Sequence, residues 1–272
     1  YHASHHPMTL PTIPPPHPNP HPPTAFTPPR GACDAHCHIF GPKHLFPYHP
    51  TSTYEPPDAG KDRLRELHAK LGIERAVIVQ ASCHGPDNRA MLDAIATSRG
   101  AYKGVCIARA TFTDEDFQKL HEGGVCGVRF NFVTHLGGTP NLEAMTSILQ
   151  RVKPLGWHLI IHVNAEDLIK FESFFSAIDM EIVVDHMGRP NVDQPLDGPE
   201  FSLFLKFMRE HPNVWSKVSC PERLSVTGPK ALNGEQAAYQ DVVPFARRVV
   251  QEFPDRVLWG TDWPHPNLKD HM

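Results

Sequence analysis

The sequence predicts an α/β fold in which eight parallel strands and their helices close into a (β/α)8 barrel lacking its closing C-terminal helix. Three observations lead there. From residue 31 onward, eight short runs rich in β-branched and apolar residues alternate with seven stretches of helical periodicity. The length of 272 residues suits one such barrel better than two small domains. No glycine-rich phosphate loop follows the first strand, as an open dinucleotide-binding sheet would require.

Residues 1–30 come first and carry eleven prolines and five histidines. Such a stretch buries too little apolar surface to offset its ordering entropy, so it is expected to be disordered or extended and to stay outside the site. The barrel is expected over 31–272. Its strands are predicted at 33–39, 75–80, 102–108, 125–130, 158–163, 181–185, 214–217 and 257–260. Helices are predicted between them at 62–71, 87–98, 114–122, 142–152, 165–178, 201–210 and 236–253, several opened by Asp or Asn residues able to cap the first turn. The chain ends at Met272, soon after the eighth strand, so the helix that completes a TIM-type barrel has no sequence here.

The hydrophobic fraction of 40% and charged fraction of 21% are enough to bury a substantial core and exclude disorder throughout. A net charge of −4 leaves no basic stripe to neutralise a run of phosphates, which sets nucleic acid aside as a partner. No apolar run is long enough to span a membrane, and no signal-peptide core opens the chain, so a cytoplasmic protein without membrane contact is expected. Cys33, Cys37, Cys83, Cys106, Cys126 and Cys220 lack metal-site or disulfide-framework spacing and read as reduced thiols. Cys37 stands between two histidines but falls on the opposite strand face.

Three strand ends carry the chemistry. Residues two apart on a strand share a face, so His36 and His38 in Asp34-Ala35-His36-Cys37-His38 point into one mouth, where imidazoles bind metal or polarise a carbonyl. His186 follows the apolar run Ile182-Val183-Val184, with Gly188 and Pro190 shaping the exit loop. Asp262 ends the last strand between Trp259 and Trp263, a setting that desolvates a carboxylate and suits a general base. These are ends of the first, sixth and eighth strands. Arg129 closes the fourth strand facing the same mouth, and its planar fork suits a carboxylate; Arg223 lies in the loop after strand seven.

The segments VIVQASCHGPDN, GVRFNFV, IVVDHMGRP, SCPERL and VLWGTDWPHPN resemble the amidohydrolase superfamily and, within it, the 2-pyrone-4,6-dicarboxylate lactonase family and near relatives, from about Gly31 to the end. The resemblance implies a hydrolase of aromatic-compound degradation that opens a small carboxylated lactone. Asp262 would activate water, with His36, His38 and His186 polarising the carbonyl, while Tyr54, Ser82, Arg129 and Arg223 would hold the substrate's carboxylates. Two positions depart from that pattern: His135 lies in the stretch where the family has a second arginine, and His162 stands where it has a tyrosine. Both are expected beside the substrate. The resemblance implies no cofactor, whereas His36, His38, His186 and Asp262, with His162, would make a zinc or manganese site. The alternatives are then metal-dependent hydrolysis of a sugar or sulfonated lactone, nonoxidative decarboxylation of an aromatic acid, or a catalytically silent barrel that binds a small acid.

Overall fold

The computed structural model describes residues 9–23, 25–229 and 238–266, apart from the side chain of His135. Eight strands form one parallel sheet in sequence order: β1 (Cys33–Cys37), β2 (Arg75–Val79), β3 (Tyr102–Cys106), β4 (Val125–Asn131), β5 (His158–His162), β6 (Ile182–Val184), β7 (Val214–Val218) and β8 (Val257–Trp259). The circle closes just beyond β8, where Asp262 N donates to His36 O and His38 N donates to Trp263 O, each at 2.8 Å. Gly260 permits this approach, since a Cβ there would lie 2.7 Å from the His36 backbone nitrogen.

Alternation sorts the strand residues into two apolar layers. Val79, Val105, Ile160 and Val183 fill the barrel interior, while the larger core lies between the strands and the helices outside them. Cys37 is fully buried in that outer core, as its strand parity requires. The helices are α1 (Lys61–Leu71), α2 (Arg89–Ala96), α3 (Asp114–Glu122), α4 (Leu142–Val152), α5 (Ala165–Lys170), α6 (Glu172–Ser176), α7 (Pro199–Glu210), α8 (Pro221–Leu224) and α9 (Val243–Glu252). Asn141 caps α4 through its side chain and Asp167 Oδ2 accepts from Asn164 N at the start of α5, but the cap of α3 is Thr113, whose hydroxyl accepts from Asp116 N.

Two helix expectations need correction. The predicted helix 165–178 is two short helices, α5 and α6, because the chain leaves helical geometry at Phe171 (φ −111°, ψ 21°), whose ring packs against Phe132. The predicted helix 236–253 begins at Val243, with Pro244 in its first turn, where a missing N–H is harmless; its first two predicted residues lie outside the described ones. Among the described residues no helix is long and apolar enough to cross a membrane.

The described part of the proline-rich segment is ordered against the barrel. Thr12 bridges Glu55 in parallel, Glu55 N donates to Pro11 O at 2.9 Å, and Lys70 Nζ donates to Asn19 Oδ1 at 2.8 Å. It is extended, as proline dictates, and Glu55 N and Arg63 Nη2 donate to the carbonyls of Pro11 and Pro16.

Candidate active site

His36 and His38 enter from β1 and the residue after it, Asp185 and His186 from the end of β6, Lys217 from β7, and Asp262 from beyond β8. The last turns out of these strands are left-handed: φ is 52° at His186, 61° at Cys220 and 55° at Asp262. Non-glycine residues pay about 1–2 kcal/mol for this conformation, a cost met where the surroundings hold a side chain in one place. Gly188, at φ 69°, continues the same turn.

Asp262 Oδ1 is the hub. It lies 3.3 Å from His36 Nε2 and 3.2 Å from His38 Nε2, and Oδ2 accepts from the Cys220 thiol at 3.1 Å. Burial alone would raise its pKa, but the neighbouring side chains of His36, His38 and His186 outweigh it and hold the carboxyl well below its usual range. Asp262 is fully buried, whereas Trp259 is exposed, so the desolvation comes from the barrel interior and not from two flanking tryptophans as the sequence suggested. Burial lowers the pKa of His38 and pushes that of His186 down to about 3. The ring centroids of His36 and His186 are 4.8 Å apart.

A second charged group lies beside the first. Asp185 Oδ2 accepts from Arg129 through both Nε and Nη2 at 2.8 Å, and Oδ1 lies 3.2 Å from Lys217 Nζ. Burial opposes ionisation of Asp185, yet Lys217, Arg129 and His36 hold it well below the carboxylate range.

Above these groups opens a cavity of about 240 Å³, whose lining includes His38, Tyr54, Ser82, Arg129 and His162. The Tyr54 hydroxyl and Ser82 Oγ are 3.2 Å apart, and His162 Nδ1 is 2.6 Å from Asn131 Oδ1. Thus four of the predicted substrate-binding residues, Tyr54, Ser82, Arg129 and His162, do share one cavity. His36, His186 and Asp262 do not line it; His38 connects them to it, lining the cavity and touching Asp262. Arg223, on α8, is not in the lining and lies near enough to Arg189 that, after burial, its charge lowers the Arg189 pKa. The His135 side chain lies outside the described residues. Pro11 and Ile13 also line the cavity, so the proline-rich segment reaches the site from which its composition seemed to exclude it.

The amidohydrolase family profile matches residues 33–272, almost the whole barrel. The chain belongs to the amidohydrolase family. It is a hydrolase of that family and is 60% identical over 91% of its length to the 2-pyrone-4,6-dicarboxylate hydrolase of Comamonas testosteroni, covering 81% of that protein. It is 34% identical to the 4-sulfomuconolactone hydrolase of Hydrogenophaga intermedia over 91% of this chain and 79% of the relative. A crystal structure of an Agrobacterium tumefaciens protein superposes with a TM-score of 0.75 at 30% identity, over 90% of this chain and 86% of that one.

Amidohydrolases often hold a divalent metal, and His36, His186 and Asp262 offer ligand atoms within 4.8 Å of one another. His38 extends the set. Its Nδ1 is 2.8 Å from the Val79 carbonyl, which only accepts, so Nδ1 carries the proton and Nε2 turns a lone pair toward Asp262 Oδ1. Two acceptors facing each other call for a proton or a cation between them. Buried Nε2 atoms of His36 and His186 have no hydrogen-bond partner among the described residues. By residue type and separation, these side chains fit a divalent ion.

Lys217 and Asp185 were missed as site residues by sequence reasoning. A charged residue in an inward-facing position of an apolar barrel strand was the available signal for Lys217: it shares its face of β7 with Trp215 and Ser219. Asp185 stood in the quoted motif and was passed over for its neighbour His186. Pro11 and Ile13 carried no signal, because nothing local tells an extended proline-rich strand what it will lie against.

Proposed function

We propose that this amidohydrolase is a lactonase that hydrolyses the ring ester of a small carboxylated lactone of the 2-pyrone-4,6-dicarboxylate type. The observation that carries this reading is one cavity joining a cationic, hydroxyl-bearing lining, Arg129 with Tyr54 and Ser82, to a buried carboxylate among three histidines through His38. The volume of about 240 Å³ suits a single small ring, and the Comamonas relative acts on such a compound by name.

In this reading the ionised Asp262 takes a proton from water as the water oxygen adds to the lactone carbonyl carbon. The carbonyl electron pair moves onto its oxygen, where His36, His38 and His186 stabilise the charge. Collapse breaks the bond between carbonyl carbon and ring oxygen, and the proton on Asp262 passes to that oxygen. Arg129, Tyr54, Ser82 and His162 orient the substrate's carboxylates, with Arg223 and His135 as further candidates for that role.

The acceptor pair formed by His38 Nε2 and Asp262 Oδ1 favours a second reading, in which His36, His38, His186 and Asp262 hold zinc or manganese with His162 close by. When bound, such an ion supplies a Lewis acid for the carbonyl and lowers the pKa of a water. The test is loss of pyrone absorbance together with proton release, with and without chelator, beside element analysis of the purified protein. Ring opening that survives chelation supports the lactonase with no cofactor. Turnover lost on chelation and restored by one metal equivalent supports the second reading, and release of carbon dioxide in place of protons overturns both.

A further inference from the structure

Lys217 has no part in the mechanism above, yet it touches the site directly. It is 1% exposed, and its Nζ lies 2.9 Å from His36 Nδ1 and 3.2 Å from Asp185 Oδ1. Burial lowers the pKa of Lys217 from its usual value, and Asp185, gripped by Arg129 as well, is the counter-ion that opposes this and favours the ammonium. An ammonium has three hydrogens and no lone pair, so it bonds an imidazole nitrogen only by donating into that nitrogen's lone pair. The proton of a neutral His36 then sits on Nε2.

The competing partner for Nδ1 is Asp185 Oδ1, 3.3 Å away, which would place the proton on Nδ1. That oxygen accepts no hydrogen bond from the ring, whereas the Lys217 contact has hydrogen-bond geometry. At the far side of the ring, Nε2 is buried and unpartnered, 3.3 Å from Asp262 Oδ1 but poorly aligned with it. An unpaired buried N–H is costly in the resting protein and becomes useful where an oxygen of developing negative charge arrives.

We propose that Lys217 is a positioning residue that, by donating to Nδ1, holds His36 as the Nε2–H tautomer, a hydrogen-bond donor to the substrate's carbonyl oxygen and not a metal ligand. This rests on the lactonase reading for the identity of that oxygen, but the tautomer itself does not. Nitrogen NMR of protein carrying 15N-histidine reads it without any substrate: His36 is expected to be protonated on Nε2. In Lys217→Met the proton is expected to move to Nδ1, facing Asp185, and kcat to fall by about 10²–10³-fold, the loss of one oxyanion donor, with KM little changed. The freed Nε2 lone pair is also expected to raise zinc retained after dialysis above that of the parent. A Nδ1–H tautomer in the parent protein overturns the proposal, as does a folded Lys217→Met protein with unchanged kcat and tautomer. If the variant does not fold, the parent spectrum alone decides. A parent that shows the Nε2–H tautomer but opens no lactone supports the role of Lys217 while overturning the substrate reading.

Discussion

Asp262→Asn preserves the shape of the side chain at the hub of the histidine cluster and removes the charge that, in the proposed mechanism, accepts water's proton. Turnover is expected to fall by about two to four orders of magnitude. The fold is expected to persist, because the backbone bonds that close the barrel at this point, Asp262 N to His36 O and His38 N to Trp263 O, do not involve the carboxylate. Kinetics alongside a thermal melt check both halves of the statement, and a folded Asn variant of full activity removes Asp262 from the mechanism. Arg129 shows why residue identity alone is an incomplete guide: its expected role was to grip substrate, yet Nε and Nη2 are already committed to Asp185. Any contact it makes with substrate therefore comes from the rest of the guanidinium, and replacing it also strips a buried aspartate of a counter-ion.

At the scale of elements, the extended N-terminal strand and the latch at Asp34 matter most for the site. Fully buried Asp34 accepts from the backbone N–H groups of His36 and Thr261 and from the Thr261 hydroxyl, and it pairs with His68 Nε2 at 2.9 Å, tying β1, α1 and the end of β8 together. The N-terminal strand contributes the apolar side chains of Pro11 and Ile13 to a cavity otherwise rich in polar groups. Ile13→Ala removes part of that wall without touching a charged group, so KM for a flat ring lactone is expected to rise about threefold to tenfold, the equivalent of losing one to two buried methylene contacts, with kcat unchanged. Steady-state kinetics measure this directly. An unchanged KM makes the strand a surface ornament of the barrel and not part of the binding wall.

For the whole molecule, the dense buried charge sets a pH dependence. Burial, with the Lys217 charge second, pushes His158 down to about 4. An unfolded histidine titrates near 6.5, so between about 6.5 and 4 the unfolded chain binds a proton that the folded chain refuses, and stability falls as pH falls through that window. The buried carboxylates Asp185 and Asp262, held well below their usual range, add their loss only at more acid pH. Melting temperatures from pH 7 to 4 are expected to decline, and His158→Gln to decline less steeply. Equal slopes for the two proteins would show that His158 accepts its proton without strain.

All eight strands were legible in the sequence, within two residues of their ends, because side-chain alternation and strand-bounding residues are local properties that each segment carries itself. The positions of the HxH pair, His186 and Asp262 were legible for the same reason, since each sits where a patterned strand stops, and Arg129 lies two residues before the end of β4. The tertiary structure alone decided what depends on closure. His38 and Asp262 meet across 224 positions of chain, and Lys217 reaches His36 across 181. No periodicity records such meetings, since they follow from bringing β8 against β1 at Gly260 and from desolvating every inward-facing charge at once. Only then does an ordinary strand lysine become the partner that sets a histidine's proton, and a proline-rich tail become a wall of the cavity.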